Sequence, residues 1–202
     1  MRVRTVLGAV IMVALLAGCV PEPAESGETP PSETEPTGTA TPTPEAGAPV
    51  FGMPELCADI LTADTAAAFA TAGLDLLGGP DGLYGENYFG DPTPEEKAGG
   101  ITCVWGDEAV PASTVIVSVA PVTTSTRSGI VSALIASGLI ESQIEGGLTY
   151  ARIGDEVSAP AELHVIRNDS WISVLEAVGG EDRFQHATEL VDEVTGQVYT
   201  ES

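Results

Sequence analysis

Ala161-Glu162-Leu163-His164-Val165-Ile166-Arg167-Asn168-Asp169-Ser170-Trp171-Ile172-Ser173-Val174-Leu175-Glu176-Ala177 reads as two β-rich runs around Asn168-Asp169, a dipeptide suited to joining hairpin strands. A two-residue turn pairs Val165 with Ile172 and Leu163 with Val174, which gathers one apolar face. On the opposite face Ile166 and Trp171 pair directly, with Leu175 nearby. If no helix covers that second face, it is an exposed aromatic–aliphatic patch of the kind that marks ligand or partner sites. Helices on both faces would make it core instead.

Working outward, Ile101 to Trp105, Ser113 to Ala120 and Leu148 to Ile153 read as three further strands, about five in all. Pro54 to Leu61 reads as a short helical segment. Thr62 is the expected N-cap of a helix from Ala63 to Ala72, stopped by Gly73. A middle helix starts near Ser125 or Thr126 and ends at Gly138, with Ile130, Val131, Leu134 and Ile135 as its buried stripe. A last amphipathic helix, Asp182 to Val194, turns Phe184, Leu190, Val191 and Val194 inward. The stretch from Gly78 to Gly100, rich in glycine and acids and carrying Tyr84, Tyr88 and Phe89, reads as a long loop. Hairpin connections and segregated helices predict an α+β domain with a mainly antiparallel sheet and N-terminal, middle and C-terminal helices.

Arg2 and Arg4 precede an apolar run from Val6 to Ala17. As a helix it reaches roughly 18 Å, short of the ~30 Å hydrocarbon layer, so it reads as an export signal rather than a permanent span. The run ends in Leu16-Ala17-Gly18-Cys19, which resembles the lipobox of bacterial lipoproteins. That resemblance implies cleavage before Cys19, acylation of its thiol and anchoring on the outer face of the cytoplasmic membrane. From Val20 to Val50 the chain holds eight of its 15 prolines, six glutamates, six threonines and no Lys or Arg. Such a segment buries too little apolar surface to offset ordering, and its threonines beside prolines suit O-glycans. The expected organisation is a signal at 1–18, a lipidated Cys19 with a disordered tether at 19–50, and a globular extracytoplasmic domain at 51–202.

If Cys19 is acylated, Cys57 and Cys103 remain. A disulfide, two buried thiols and a metal pair are the readings for them. The extracytoplasmic side permits the disulfide, and the lack of a nearby His makes a poor zinc site. Leu56-Cys57-Ala58-Asp59-Ile60-Leu61-Thr62 before an Ala-rich helix, Cys103-Val104-Trp105 on a strand, and the closing hairpin and helix together resemble a family of exported actinobacterial lipoproteins classed as domains of unknown function. The resemblance covers roughly residues 54–195. It implies a Cys57–Cys103 disulfide and an extracytoplasmic sandwich-like α+β fold, and it implies no reaction.

With 7 Lys and Arg against 30 Asp and Glu, the chain of 202 residues carries a formal charge of −23. Such a surface repels phosphate backbones, so a nucleic-acid partner is excluded. No Gly-x-Ser-x-Gly elbow, His-Glu-x-x-His pattern or phosphate loop occurs, so neither catalysis, a metal nor a cofactor is expected. His164 lies opposite Ser173 on the hairpin and reads as a surface or half-buried strand residue; His186 reads as solvated. The loop acids Asp81, Glu86, Asp91, Glu95 and Glu96 fit no EF-hand spacing. Asn168-Asp169-Ser170 matches a glycosylation sequon, but its turn role takes precedence. The expected function is a tethered, non-catalytic binding or sensing domain for a small apolar ligand or an envelope partner. Its candidate surface is Ile166, Trp171, Leu175, Tyr84 and Tyr88. The alternative is a structural or accessory lipoprotein of an envelope protein complex.

Overall fold

The computed structural model describes Gly47 and residues 49–201. The expected export signal, Cys19 and all of the tether before Gly47 lie outside the described residues. In chain order the elements are β1 (Val50–Phe51), a 3-10 turn (Cys57–Asp59), α1 (Ala63–Thr71), β2 (Asp75–Gly78), α2 (Pro94–Lys97), β3 (Ile101–Asp107) and β4 (Val110–Pro121). They continue with α3 (Thr124–Ala136), β5 (Ile140–Ile144), β6 (Gly147–Arg152), β7 (Ala161–Ile166), β8 (Ser170–Glu176), α4 (Glu181–Val198) and β9 (Tyr199–Thr200). Seven strands form one antiparallel sheet in the order β2-β3-β4-β8-β7-β6-β5, and β1 pairs with β9 separately.

The mixed helix-and-sheet class matches the sequence reading, but the main sheet has seven strands rather than about five. Both additions are edge strands. β5, Ile-Glu-Ser-Gln-Ile, is exposed along its whole length and carries no buried alternation; only its ladder with β6 makes it a strand. β2 is four residues long and irregular in register against β3. Val50, placed last in the tether by composition, pairs with Thr200. Helix limits also move. The first helical segment shrinks to a 3-10 turn, α3 starts on the Thr123 cap, and α4 runs through Gly196 to Val198. The long loop contains the single turn α2. Thr62 does cap α1, accepting from the Thr65 amide at 3.2 Å.

The β7–β8 register pairs Ile166 with Trp171, Val165 with Ile172, His164 with Ser173 and Leu163 with Val174. Among the described non-glycine residues only Asp81 has a positive φ, so Asn168-Asp169 does not form the mirror-type turn common for such pairs. Tertiary contacts hold this turn instead. The Tyr199 hydroxyl donates to Asp169 and bonds Ser170 Oγ at 2.7 Å, and the Val122 amide donates to the Asp169 carbonyl at 2.8 Å. Burial, aided by the Asp169 bond, pushes the Tyr199 phenol up to about 12.

Each face of the sheet has its own core. On one, Leu163, Val165, Ile172 and Val174 meet Ala187, Leu190, Val191 and Val194 of α4. Phe69 of α1 packs edge-on against Trp105 in the same cluster. Glu193 of α4 clamps the start of α1, accepting from the Thr62 amide and the Thr65 hydroxyl, each at 2.6 Å. On the other face α3 brings Leu134 onto Ala120, Tyr150, Ile166 and Trp171. That cover makes Ile166 and Trp171 core, at 0% and 3% exposure, so the exposed patch conditional on a bare face does not exist.

Cys57 and Cys103 form a disulfide with Cα atoms 5.6 Å apart, which closes the alternatives left by the cysteine count. It joins the 3-10 turn to β3. The chain leaving β2 passes directly over it at Gly79, where φ is +102° and a Cβ would stand 2.4 Å from the Thr102 carbonyl and 2.7 Å from Cys57 Sγ. Only glycine fits there. The bridge spans 46 positions. By chain entropy, the Cys57→Ser/Cys103→Ser variant should lose about 4 kcal/mol of stability in urea unfolding; an unchanged midpoint would show that the constraint contributes nothing.

Candidate functional site

Strand alternation places Glu162, His164, Trp171, Ser173 and Leu175 on the α3 side of the β7–β8 hairpin. α3 covers the Ile166 and Trp171 end of this face but not all of it. Between α3 and α2 the sheet floors a cavity of about 330 Å³, within the range of small-ligand pockets. Ile116, Leu134, Ala133, Leu175 and Phe89 supply its apolar walls.

α2 forms one side wall for reasons legible in four residues. Thr93 and Glu96 make a capping box, with Oγ1 accepting from the Glu96 amide at 3.2 Å and the Glu96 carboxylate accepting from the Thr93 amide at 2.7 Å. Pro94 occupies the first helical turn, where its missing N–H costs nothing. Gly100 then lets the turn lie flat on the sheet, since a Cβ there would meet the Val119 carbonyl at 2.2 Å. The result delivers Glu95, 6% exposed, to the cavity.

The floor is polar and ordered. Ser173 Oγ donates to Glu95 Oε1 at 2.6 Å, and the Trp171 indole donates to His164 Nδ1 at 3.0 Å. An indole N–H can only donate, so Nδ1 is an acceptor and the neutral imidazole carries its proton on Nε2, 2.9 Å from Glu162 Oε1. Glu95 Oε1 also lies 3.9 Å from Nδ1, but that contact becomes an ion pair only if a second proton displaces the indole bond. The hydrogen bond from His164, against the opposing effect of burial and with help from Arg152 at 3.4 Å, holds the Glu162 carboxyl below its usual range. A hydroxyl chain from Thr93 through Thr102 to Ser118, at 2.7 and 3.0 Å, completes the rim.

Of the five candidate surface residues, the cavity takes Trp171 and Leu175. Ile166 is buried beneath α3. Tyr84 and Tyr88 stand on the loop after β2, outside the cavity lining. Tyr84 donates to Glu108, which raises its pKa, and Tyr88 packs edge-on against Phe89 at 5.1 Å, steadying the ring at the cavity lip. His164 is buried, not a surface residue. It faces Ser173 as the pairing arithmetic requires, yet the serine hydroxyl donates to Glu95 instead. In the sequence Glu95 reads only as a loop acid; the signal that places it on a helix is the Thr93-Pro94-Glu95-Glu96 capping pattern.

A second polar cluster lies on the α4 side. Glu176, 2% exposed, continues the apolar alternation of Ile172 and Val174. Its carboxylate takes Arg183 Nη1 at 3.1 Å and His186 Nδ1. His186, expected to be solvated, is bound to a buried acid although about a third of its side chain stays exposed, and an acid in phase with the inward residues is the sequence signal. Among the described residues no group of three or more His, Cys, Asp and Glu side chains is arranged to hold a metal ion, and no helix is long and apolar enough to cross a membrane.

The Glu176 hydrogen bond raises the His186 pKa above 6.5, outweighing the effect of burial. Its stabilisation is complete below 6.5 and is lost as pH climbs through the raised folded value. Replacing His186 by Gln should therefore cost roughly 1 kcal/mol in acid, discounted for a side chain about a third exposed, and less at alkaline pH. Urea unfolding at both ends of that range checks it; an equal loss at both would remove the charged pair from the account. Comparisons of the chain with protein-family models, with curated proteins and with solved structures return no match.

Proposed function

We propose that this chain is a membrane-tethered extracytoplasmic binding domain that takes a small, largely apolar ligand in the cavity between α2 and α3. The observation that carries the reading is the cavity itself: apolar walls around a few convergent, ordered polar groups, the usual composition of a ligand site. The lipobox-like Leu16-Ala17-Gly18-Cys19 and the proline-rich segment after it support the tethered arrangement, in keeping with the resemblance to exported lipoproteins. Two or more acyl chains give stable anchoring where one is marginal. A second reading, an accessory lipoprotein of an envelope complex, draws on the exposed Leu83, Tyr84, Tyr88 and Phe89 of the loop after β2.

Native mass spectrometry of the detergent-extracted chain should reveal a small molecule bound one to one. Ala133→Phe, which directs a ring into the cavity mouth from α3, should abolish it without lowering the melting temperature. A molecule retained by that variant would place binding elsewhere, and a crosslinked protein partner with an empty cavity would favour the second reading. Cys19→Ser should move the chain from the membrane fraction to the soluble one; unchanged fractionation would overturn the lipid anchor.

A further inference from the structure

We propose that the cavity is an amine site, selecting a small apolar molecule whose ammonium group donates to Glu95; this rests on the binding reading above. The proposal follows from where the donors of the floor are spent. The Trp171 indole N–H goes to His164, the Ser173 hydroxyl goes to Glu95, and the remaining imidazole N–H faces Glu162. Ser118, at the end of a hydroxyl chain, can donate or accept and so does not discriminate.

One acceptor is left. Glu95 takes a single hydrogen bond, on Oε1, and among the described residues nothing donates to Oε2, although the side chain is buried. Among the described residues the one fully enclosed side-chain polar atom without a partner is Arg167 Nε, so Glu95 Oε2 keeps some contact with solvent and can be reached by a further donor or a cation. The nearby guanidinium, Arg152, is engaged with the other acid of the wall, Glu162. His164 would become a cation facing Glu95 only by giving up its indole bond. An incoming ammonium supplies three donors and the compensating charge.

The walls suit the same head group. Trp171 and Phe89 both line the cavity, and aromatic faces attract a desolvated cation. The chain's charge of −23 concentrates cations at its surface and depletes anions. A carboxylate or phosphate ligand would meet Glu95 and Glu162 with no free cationic side chain among the lining residues.

The test is calorimetry on the full detergent-solubilised chain at neutral pH with three matched probes: 2-phenylethylamine, 2-phenylethanol and phenylacetate. The amine should bind about tenfold more tightly than the alcohol, and phenylacetate should not bind. Glu95→Gln should bring the amine down to the alcohol while leaving alcohol binding, and thus the cavity, intact. Equal binding of amine and alcohol by the natural chain, or an amine preference that survives Glu95→Gln, would overturn the amine assignment and leave the cavity reading standing. Failure of all three probes at millimolar concentration would overturn both.

Discussion

The register of the β7–β8 hairpin is the constraint on which the rest of this domain depends. Because side chains alternate along a strand, the pairing of His164 with Ser173 places two different chemistries on two faces. Leu163, Val165, Ile172 and Val174 form the floor on which α4 lies. Glu162, His164, Trp171 and Ser173 form the floor of the cavity. A slip of one residue would exchange them, putting the imidazole and hydroxyl beneath an apolar helix. The turn does not secure this register by backbone preference, since neither Asn168 nor Asp169 has a positive φ. Tyr199, arriving from the end of α4, bonds Asp169 and Ser170 and locks the turn from outside.

The two faces are closed differently. On the α4 side the disulfide, Phe69 and Trp105 complete a continuous apolar layer, and Glu176 is buried there with two basic partners. On the α3 side the cover is partial. α3 packs Leu134 against Ile166 and Trp171, while α2 brings Thr93, Pro94 and Glu95 to the same face. The cavity is the gap between them. Its polarity is tolerable because nearly every group in it is matched to a neighbour in a low-dielectric setting, where an unmatched one is expensive.

Local structure was largely legible. The alternation around Asn168-Asp169 carried the hairpin and both its faces, and Thr62 with Gly73 bounded α1 to within a residue. The stripe of Leu190, Val191 and Val194 identified the inner side of α4. Edge strands were not legible, because β5 has no buried residue to create a period and β2 is too short to show one. The glycine-rich segment concealed α2, whose four residues are a helix only by virtue of a capping box and a glycine that lets it touch the sheet. The sequence places Trp171 and Leu175 on a surface patch; in the fold Trp171 is buried, Leu175 half-buried, and both line the wall of a cavity.

The sequence by itself determined which residues share a face, because strand and helix periods act over a few neighbours and are written in the order of apolar and polar side chains. Tertiary structure alone decided which helix covers which face and which acid is buried beside which donor. Ser173 and Glu95 stand 78 positions apart, and Thr65 and Glu193 128 apart. Contacts over such distances leave no periodic trace, because they arise from how separately stable elements pack, and packing depends on shape and on every other element present.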